Sequence, residues 1–595
     1  MLVSPSPAFV ASRRRLFDAL AAASGFVPEQ PVPMRRPGKS SVKSVAAPTP
    51  NAIPTPAAAV RWLQKATFGY TRADYDALNA LAGGDDNARW QTWVTQQTAP
   101  AGIADAACDA RITAAAFTTL GKTVQQLWTD HHSQTTNYYL RMLPIAEVEC
   151  LAGIRAVYSK RQLQEVMAEF WHDHFSTFAW DYDGGPTFVQ YDRDVIRPNI
   201  FGNFRTMLEA VGKSVMMLYF LDNASNTNSG PNENYARELF ELHTLGAENY
   251  YGVIYQNAVP NDASNAALPA GYCDDDVYES ARCFTGWTLK DGHYPYTTAA
   301  DNTGEYIYRS GEHDAGIKNV LRVHMVYNQP PEKDGKDVMN ALAAHPGTAR
   351  FIARKLCRRL IMDDPSQALV DSIAQLFQST WQAPDQLAQV TRTILLSNEF
   401  KSTWGAKMKR PLNAYYSALR GLGVDYTPKP DNSAVYTPNE ELTYRLQLAG
   451  QRAFYWPAPN GYPDRISAWA SSGSLGMTWR MLSRLTEVHQ NDAYNGAQPL
   501  IADVLGITTA NVATKTASNI IGYWFDRLLG PGFRPEPSFS KIVAFLQQNA
   551  LPAEVLTLDD NWHGGATPDL KNHYNQQRLR AAVGLILLSP EFLRR

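Results

Sequence analysis

From Ala58 to Leu588, apolar side chains recur three and four residues apart in segment after segment, which confines this chain to a mainly α architecture. The period predicts helices over 58–67, 86–97, 105–130, 136–158, 161–175 and 204–219. It returns over 334–344, 346–361, 365–379, 384–396, 407–422, 475–491, 516–529, 538–548 and 573–588. Between these blocks, 249–271 and 424–465 are rich in Pro, Asn, Gly and Tyr and show no period, so both read as loops. Residues 288–325 hold Gly, Tyr, Thr and His in irregular or β-like runs. The expected fold is a multi-helix globular protein with a minor β-hairpin or irregular insert around 288–325. The expected division is a helical unit over 59–330 and further helical units over 331–595.

One pattern occurs twice. Ile394-Leu395-Leu396-Ser397-Asn398-Glu399-Phe400 returns as Ile586-Leu587-Leu588-Ser589-Pro590-Glu591-Phe592. In both, Ser follows an amphipathic helix and is placed to cap the next turn. This suggests two related helical units, from about 333 to 422 and about 515 to 595, and a packing device rather than chemistry.

The densest mixture of ionisable and apolar residues is Asn232-Glu-Asn-Tyr-Ala-Arg-Glu-Leu-Phe-Glu-Leu-His-Thr-Leu-Gly246. It reads as one helix started behind Pro231 and ended by a left-handed Gly246. At about 100° per residue, Asn234, Glu238 and Glu241 share a face, and Arg237 is spaced to pair with Glu241. His243 falls elsewhere, beside Ala236, Leu239 and Phe240. Two readings follow: a carboxylate site with Glu238 and Glu241 catalytic and Asn234 and Arg237 binding substrate, or a structural Arg–Glu lock.

This segment resembles the signature of a large bacterial family, domain of unknown function 1800. Other ordered matches are Trp62-Leu-Gln-Lys-Ala-Thr-Phe-Gly69, the His box Phe170-Trp-His-Asp-His-Phe175, and Gly202-Asn-Phe-Arg205 with Tyr219-Phe-Leu-Asp-Asn223. Asp276-Val277, Ala281-Arg282, Thr285-Gly-Trp287 and His313-Asp-Ala-Gly-Ile-Lys318 continue the series. The resemblance runs from about Ala59 to the C-terminus. It implies a set of suspect residues rather than a reaction. It also implies a sulfatase-like partner protein, because members are often encoded beside such a family.

In the His box, His172 and His174 point about 200° apart on a regular helix and cannot share a metal from within it. His172 shares a face with Glu165 and Glu169, and Glu-x-x-His is the spacing of carboxylate-bridged metal bundles. His174 lies with Phe170 and Trp171 on the apolar side. If the helix stops near Asp173, the two imidazoles can converge. In the third cluster, His313 and Asp314 suit a metal ligand or a base with its orienting carboxylate, and Lys318 offers a cation to an anionic substrate. The alternative is a charged turn. Asp274–Asp276 favour a helix N-terminus, with Asp276 and Glu279 able to form a capping box.

Composition narrows the function classes. Lys+Arg 55 against Asp+Glu 57 gives a net charge of −2, so no basic footprint for nucleic acid exists. No run of 18 apolar residues predicts a transmembrane helix. Ser12-Arg-Arg-Arg-Leu-Phe17 resembles a twin-arginine export box within residues 1–30, and Pro/Ala/Ser-rich 31–58 reads as a flexible linker. A periplasmic or extracellular location is therefore expected. Five cysteines fit no zinc spacing, and only Cys273 and Cys283 suggest a disulfide. Phosphate loops, dinucleotide fingerprints and nucleophile elbows are absent. Oxygen and imidazole donors suit a divalent metal with His172, His174 and His313 as ligands. The expected function is a hydrolase or transferase, metal-dependent in one version, with Glu238, Glu241 and Asp314 catalytic, acting on an extracytoplasmic polymer or conjugate. The alternative is a non-enzymatic surface or assembly protein.

Overall fold

A computed structural model describes residues 54–133, 135–430, 438–487, 500–558 and 575–595. The candidate export signal over 1–30, and the linker up to residue 53, lie outside these. The described chain belongs to one compact unit, Ile53–Arg595. It is mainly α, with two small antiparallel β-hairpins.

Helix boundaries follow local chemistry. Asp85 caps Asp86–Gln97, Asn137 caps Tyr138–Tyr158, and Ser366 caps Gln367–Ser379, each accepting backbone N–H bonds at the first turn. Outside the 232–246 segment, two expected helices are broken. The 105–130 segment splits into Ala106–Ala115 and Val124–Leu127, because Ala116 turns left-handed and Thr123 with Gln126 builds a capping box. The 204–219 segment splits into Phe204–Gly212 and Val215–Phe220, where Ser214 caps the second piece. Helices at Pro438–Leu448 and Val504–Asn511 lacked a legible period.

The β insert falls where expected. Trp287–Asp291 pairs with Asn302–Tyr308 in the register Trp287↔Tyr308, with a bulge before Asp291. Lys318–Val320 pairs with Val323–Met325.

Two buried apolar clusters hold the fold. The first gathers residues from Ala59 to Phe400, so the helices after 330 pack with those before it. The second is built from Leu412 to Leu593, with Phe68, Ala156, Val157 and Val166 reaching in from the N-terminal part. The repeated pattern closes both. Ser397 caps Asn398–Ser402 and Ser589 caps Pro590–Leu593 in the same manner. Phe400 and Phe592 are buried, with the Nζ of Lys65 4.1 Å from one ring centroid and that of Lys409 4.0 Å from the other.

All five cysteines are buried and unpaired. Cys273 and Cys283 do not bridge: Cys273 is the N-cap of Asp274–Cys283, and the Cys283 thiol points at the Met325 sulfur, 3.4 Å away. The capping box there is Cys273 with Asp276, whose carboxylate accepts the Cys273 N–H at 3.1 Å. Helix start, rather than the Asp276–Glu279 spacing, decides the cap.

Candidate functional site

The signature segment is not one regular helix. Glu233–Glu238 is α, and Leu239–Thr244 widens into a π-turn. The extra residue per turn breaks the phase that would align Glu238 with Glu241. Arg237 therefore pairs with Glu233 at 2.9 Å and Asp274 at 3.2 Å, not with Glu241. Asn234 donates to Asp222 at 3.2 Å. Glu238 and Glu241 are half-buried near Tyr272, whose hydroxyl is raised by burial first and by Glu241 next. Gly246 ends the segment at φ +88 and ψ 150, a positive-φ conformation that suits glycine although it lies outside the left-handed helical cap, and donates back to the Phe240 carbonyl at 3.0 Å.

The π-turn drives His243 into the core. It packs 5.2 Å from the Phe175 ring and 6.3 Å from the His174 ring. His174 donates from Nε2 to the His243 carbonyl at 3.1 Å, joining the His box to the signature. Burial holds both imidazoles neutral, His243 at about 3 and His174 well below the usual range.

The His313–Lys318 turn is a lock. Both His313 nitrogens face acceptors, the Thr285 carbonyl at 2.9 Å and Asp334 at 3.1 Å. Lys318 is fully buried and meets Asp334 at 2.7 Å, so no substrate reaches it. Asp314 takes Arg282 at 2.7 and 3.2 Å, and that guanidinium outweighs burial to hold the carboxyl below its ordinary value. These bonds tie the second hairpin to the helices on either side of it.

Of the candidate clusters, the His box lines a cavity among the described residues. Helix Gln162–His174 turns Glu165, Glu169, His172 and Asp173 to one face, while Phe170, Trp171 and His174 enter the core. The face borders about 60 Å³ of free space, also lined by Arg197, Tyr416, Gln451, Phe454, Trp456 and Tyr462. That volume admits a few waters or one small substituent. None of Asn234, Glu238, Glu241, His313 or Asp314 lines it. The sequence candidates thus fall into three separate places.

Within the cavity, His172 donates from Nε2 to Asp192 at 2.9 Å. Asp192 is buried, which alone would raise it, but Arg197 at 2.8 Å and His172 hold it well below the carboxylate range. Arg197 also grips Glu165 with two bonds, of 2.9 and 3.1 Å. The Nδ1 of His172 makes no hydrogen bond to a protein group among the described residues. On the next turn, Glu169 accepts from Arg410 at 2.6 Å and Asn413 at 2.8 Å, and from Arg359. Those two guanidiniums overcome burial and keep it at about 2. Asp173 has Arg410 alone, at 2.6 Å. Burial and the Glu169 charge push it up despite that contact, so Asp173 is the carboxylate of this pair that protonates more readily.

The loop 449–465 closes the site. Gly461 has φ +68, and a Cβ there would stand 1.9 Å from the Asp173 carbonyl oxygen. Only glycine lets the loop lie on the end of the His-box helix. Tyr462 donates to the Arg452 carbonyl at 2.7 Å, and Arg452 grips Glu149 with bonds of 2.8 and 2.9 Å. Sequence periodicity found Glu165, Glu169 and His172 but missed Asp173, Asp192, Arg197, Arg410 and this loop. The available signals were Arg410-Pro411 before a helix and Asn460-Gly461 inside an aromatic-rich loop.

Among the described residues no three His, Cys, Asp or Glu side chains are arranged to hold a metal ion. His172, His174 and His313 each spend a nitrogen on a different protein partner. No described helix is long and apolar enough to cross a membrane. The family model described as "Protein of unknown function (DUF1800)" matches residues 61–594, nearly the whole chain. No curated protein and no solved structure matches.

Proposed function

The chain belongs to the DUF1800 family, and we propose that its His-box cavity is the acid–base site of an exported hydrolase or transferase acting on an extracytoplasmic polymer or conjugate. The observation that carries this reading is the His172–Asp192 pair. A buried, charge-neutralised Asp192 fixes His172 by Nε2, leaving Nδ1 as a base beside the cavity. His172 Nδ1 takes the proton of a water or hydroxyl nucleophile as it attacks. Asp173, the carboxyl pushed up by burial, gives a proton to the leaving oxygen. Glu169, held ionised, keeps Arg410 in place between the two carboxylates. The aromatic walls exclude bulk water around the transfer. The signature segment supports this site from behind, through the His174–His243 bond, rather than forming it.

The test is turnover of 4-methylumbelliferyl glycosides, esters and phosphate esters by the full chain. His172→Ala, Asp192→Asn and Asp173→Asn are compared at matched folding by circular dichroism. Loss of at least 100-fold in His172→Ala, with the acid limb of the pH profile displaced in Asp192→Asn, supports the assignment. Unchanged turnover in both His172→Ala and Asp173→Asn overturns it.

A further inference from the structure

Two residues of the cavity wall carry polar groups that the fold does not use. Ser176 and Thr177 are 4% and 6% exposed and line the cavity with His172 and Asp173. The chain is pinned on either side of them. Phe175 closes the His-box helix, its N–H donating to the Trp171 carbonyl at 2.9 Å and its own carbonyl accepting the Tyr191 hydroxyl at 2.7 Å. Beyond Thr177, the Ala179 N–H donates to the Phe454 carbonyl at 3.1 Å. Between these anchors the N–H groups of Ser176 and Thr177 meet no protein acceptor among the described residues, and neither hydroxyl has a hydrogen-bond partner. Buried N–H groups are nearly always paired, so two adjacent ones without a protein partner at a cavity wall serve as donors to what the cavity binds.

The chemistry of these groups selects the reaction. Neighbouring N–H donors stabilise an oxygen that gains negative charge, as a carbonyl oxygen does when a nucleophile adds to its carbon. A glycosidic carbon gathers positive charge instead and gains nothing from them. A phosphoryl group calls for cations, and the guanidinium lining the cavity, Arg197, is spent on Asp192 and Glu165. An acyl group is the fit, and about 60 Å³ limits it to a short one. The hydroxyl nucleophile is on the same wall. His172 is oriented by Asp192 through Nε2 and holds the Nδ1 lone pair for it, which completes the order nucleophile, base, orienting carboxylate. Ser176 suits the role better than Thr177. Its alcohol is unbranched, and its own N–H and the next one both belong to cavity-lining residues, whereas Phe178, after Thr177, does not line the cavity. Ser176 Oγ and His172 Nδ1 are not hydrogen-bonded in this structure; bonds of this kind often close only with substrate in place.

We propose that Ser176 is the nucleophile of an acyl transfer and that the Ser176 and Thr177 N–H groups bind the oxyanion, making the substrate a larger molecule that carries a short acyl group. This rests on the catalytic reading of the His172 cavity. Ser176 Oγ adds to the acyl carbon as its proton passes to His172 Nδ1. The bond to the leaving oxygen then breaks as Asp173 gives that oxygen a proton, and the acyl group stays on Ser176. Water adds to the acyl carbon, its proton going to the Asp173 carboxylate, and His172 returns its proton to Ser176 Oγ as the acid departs. The test is reaction of the full chain with p-nitrophenyl acetate, quenched in acid and read by intact mass and peptide mapping. The expected result is one acetyl group on Ser176, absent from Ser176→Ala and His172→Ala, with turnover lowered at least about 100-fold in Ser176→Ala. An unchanged melting temperature verifies the fold of each variant. Turnover lost in His172→Ala but kept in Ser176→Ala overturns the nucleophile and leaves the base of the cavity standing. Turnover kept in both variants overturns the catalytic reading of the cavity itself. An acetyl group found only on Thr177 or on lysines, or no hydrolysis of the ester by wild type, also overturns the proposal.

Discussion

Replacing Glu169 with Gln removes the negative charge on which two buried guanidiniums converge, while keeping the side chain's size. The structure sets the magnitude: Glu169 sits at about 2 against an ordinary 4.5, worth roughly 3 kcal/mol. Its side chain is 13% exposed, so solvent screening takes little of this. Because the folded value is depressed, the stabilisation is complete above about pH 4.5 and is lost as pH falls toward 2. For this group alone, wild type loses roughly 1 kcal/mol by pH 4 and roughly 2 kcal/mol by pH 3, relative to pH 7. The Gln variant carries no such term. At pH 7 it is destabilised by about 3–5 kcal/mol, since Arg359 and Arg410 keep their burial and lose their shared counter-charge. The assay is urea denaturation at pH 7, 5, 4 and 3, followed by tryptophan fluorescence and circular dichroism together. The gap between wild type and variant should narrow by about 2 kcal/mol between pH 7 and pH 3. A gap that stays constant over this range, or a loss below about 1 kcal/mol at pH 7, refutes the view that Glu169 is an ionised hub.

Gly461→Ala places a methyl where the Asp173 carbonyl stands and strains a positive φ. It should cost at least about 2 kcal/mol and alter Trp456 fluorescence as the loop lifts. Lys318→Met leaves Asp334 buried with a carboxylate charge and no ammonium, so urea stability should fall by about 3 kcal/mol while cavity-dependent turnover per folded molecule stays unchanged. Lys355 is depressed by burial to about 8, so its charged form disfavours folding below that pH. Lys355→Met should therefore be more stable than wild type at pH 7 in thermal melts, with the advantage fading by about pH 10.5.

The helical content was legible because apolar spacing at three and four residues follows from the need to bury one face of each helix. Capping residues marked many boundaries, and the twin Ser-x-Glu-Phe turns were readable because each cap is local. The β insert was legible because the period stops there and Gly, Tyr and Thr fall into β-like runs. The candidate site was legible only in part. Glu165, Glu169 and His172 share a face by phase alone, and the structure keeps them together. Phase failed at Glu238 and Glu241, where the π-turn adds a residue that no spacing rule anticipates. It failed also for His313 and Lys318, whose loop looked free and is pinned by Asp334 and Thr285.

The sequence by itself determined the family, the α class, the caps and which residues carry charge into apolar surroundings, since each depends on local composition or order. Tertiary structure alone decided which of those charges meet. Asp192 lies 20 residues from His172, Arg410 lies 241 from Glu169, and Gly461 settles onto the backbone of Asp173 from a distant loop. Partners that far apart are chosen by how helices pack, because an ion pair is set by distance in space. Whether a carboxylate is fixed as ionised, as at Glu169, or pushed up toward protonation, as at Asp173, is settled by how many guanidiniums the fold delivers to each.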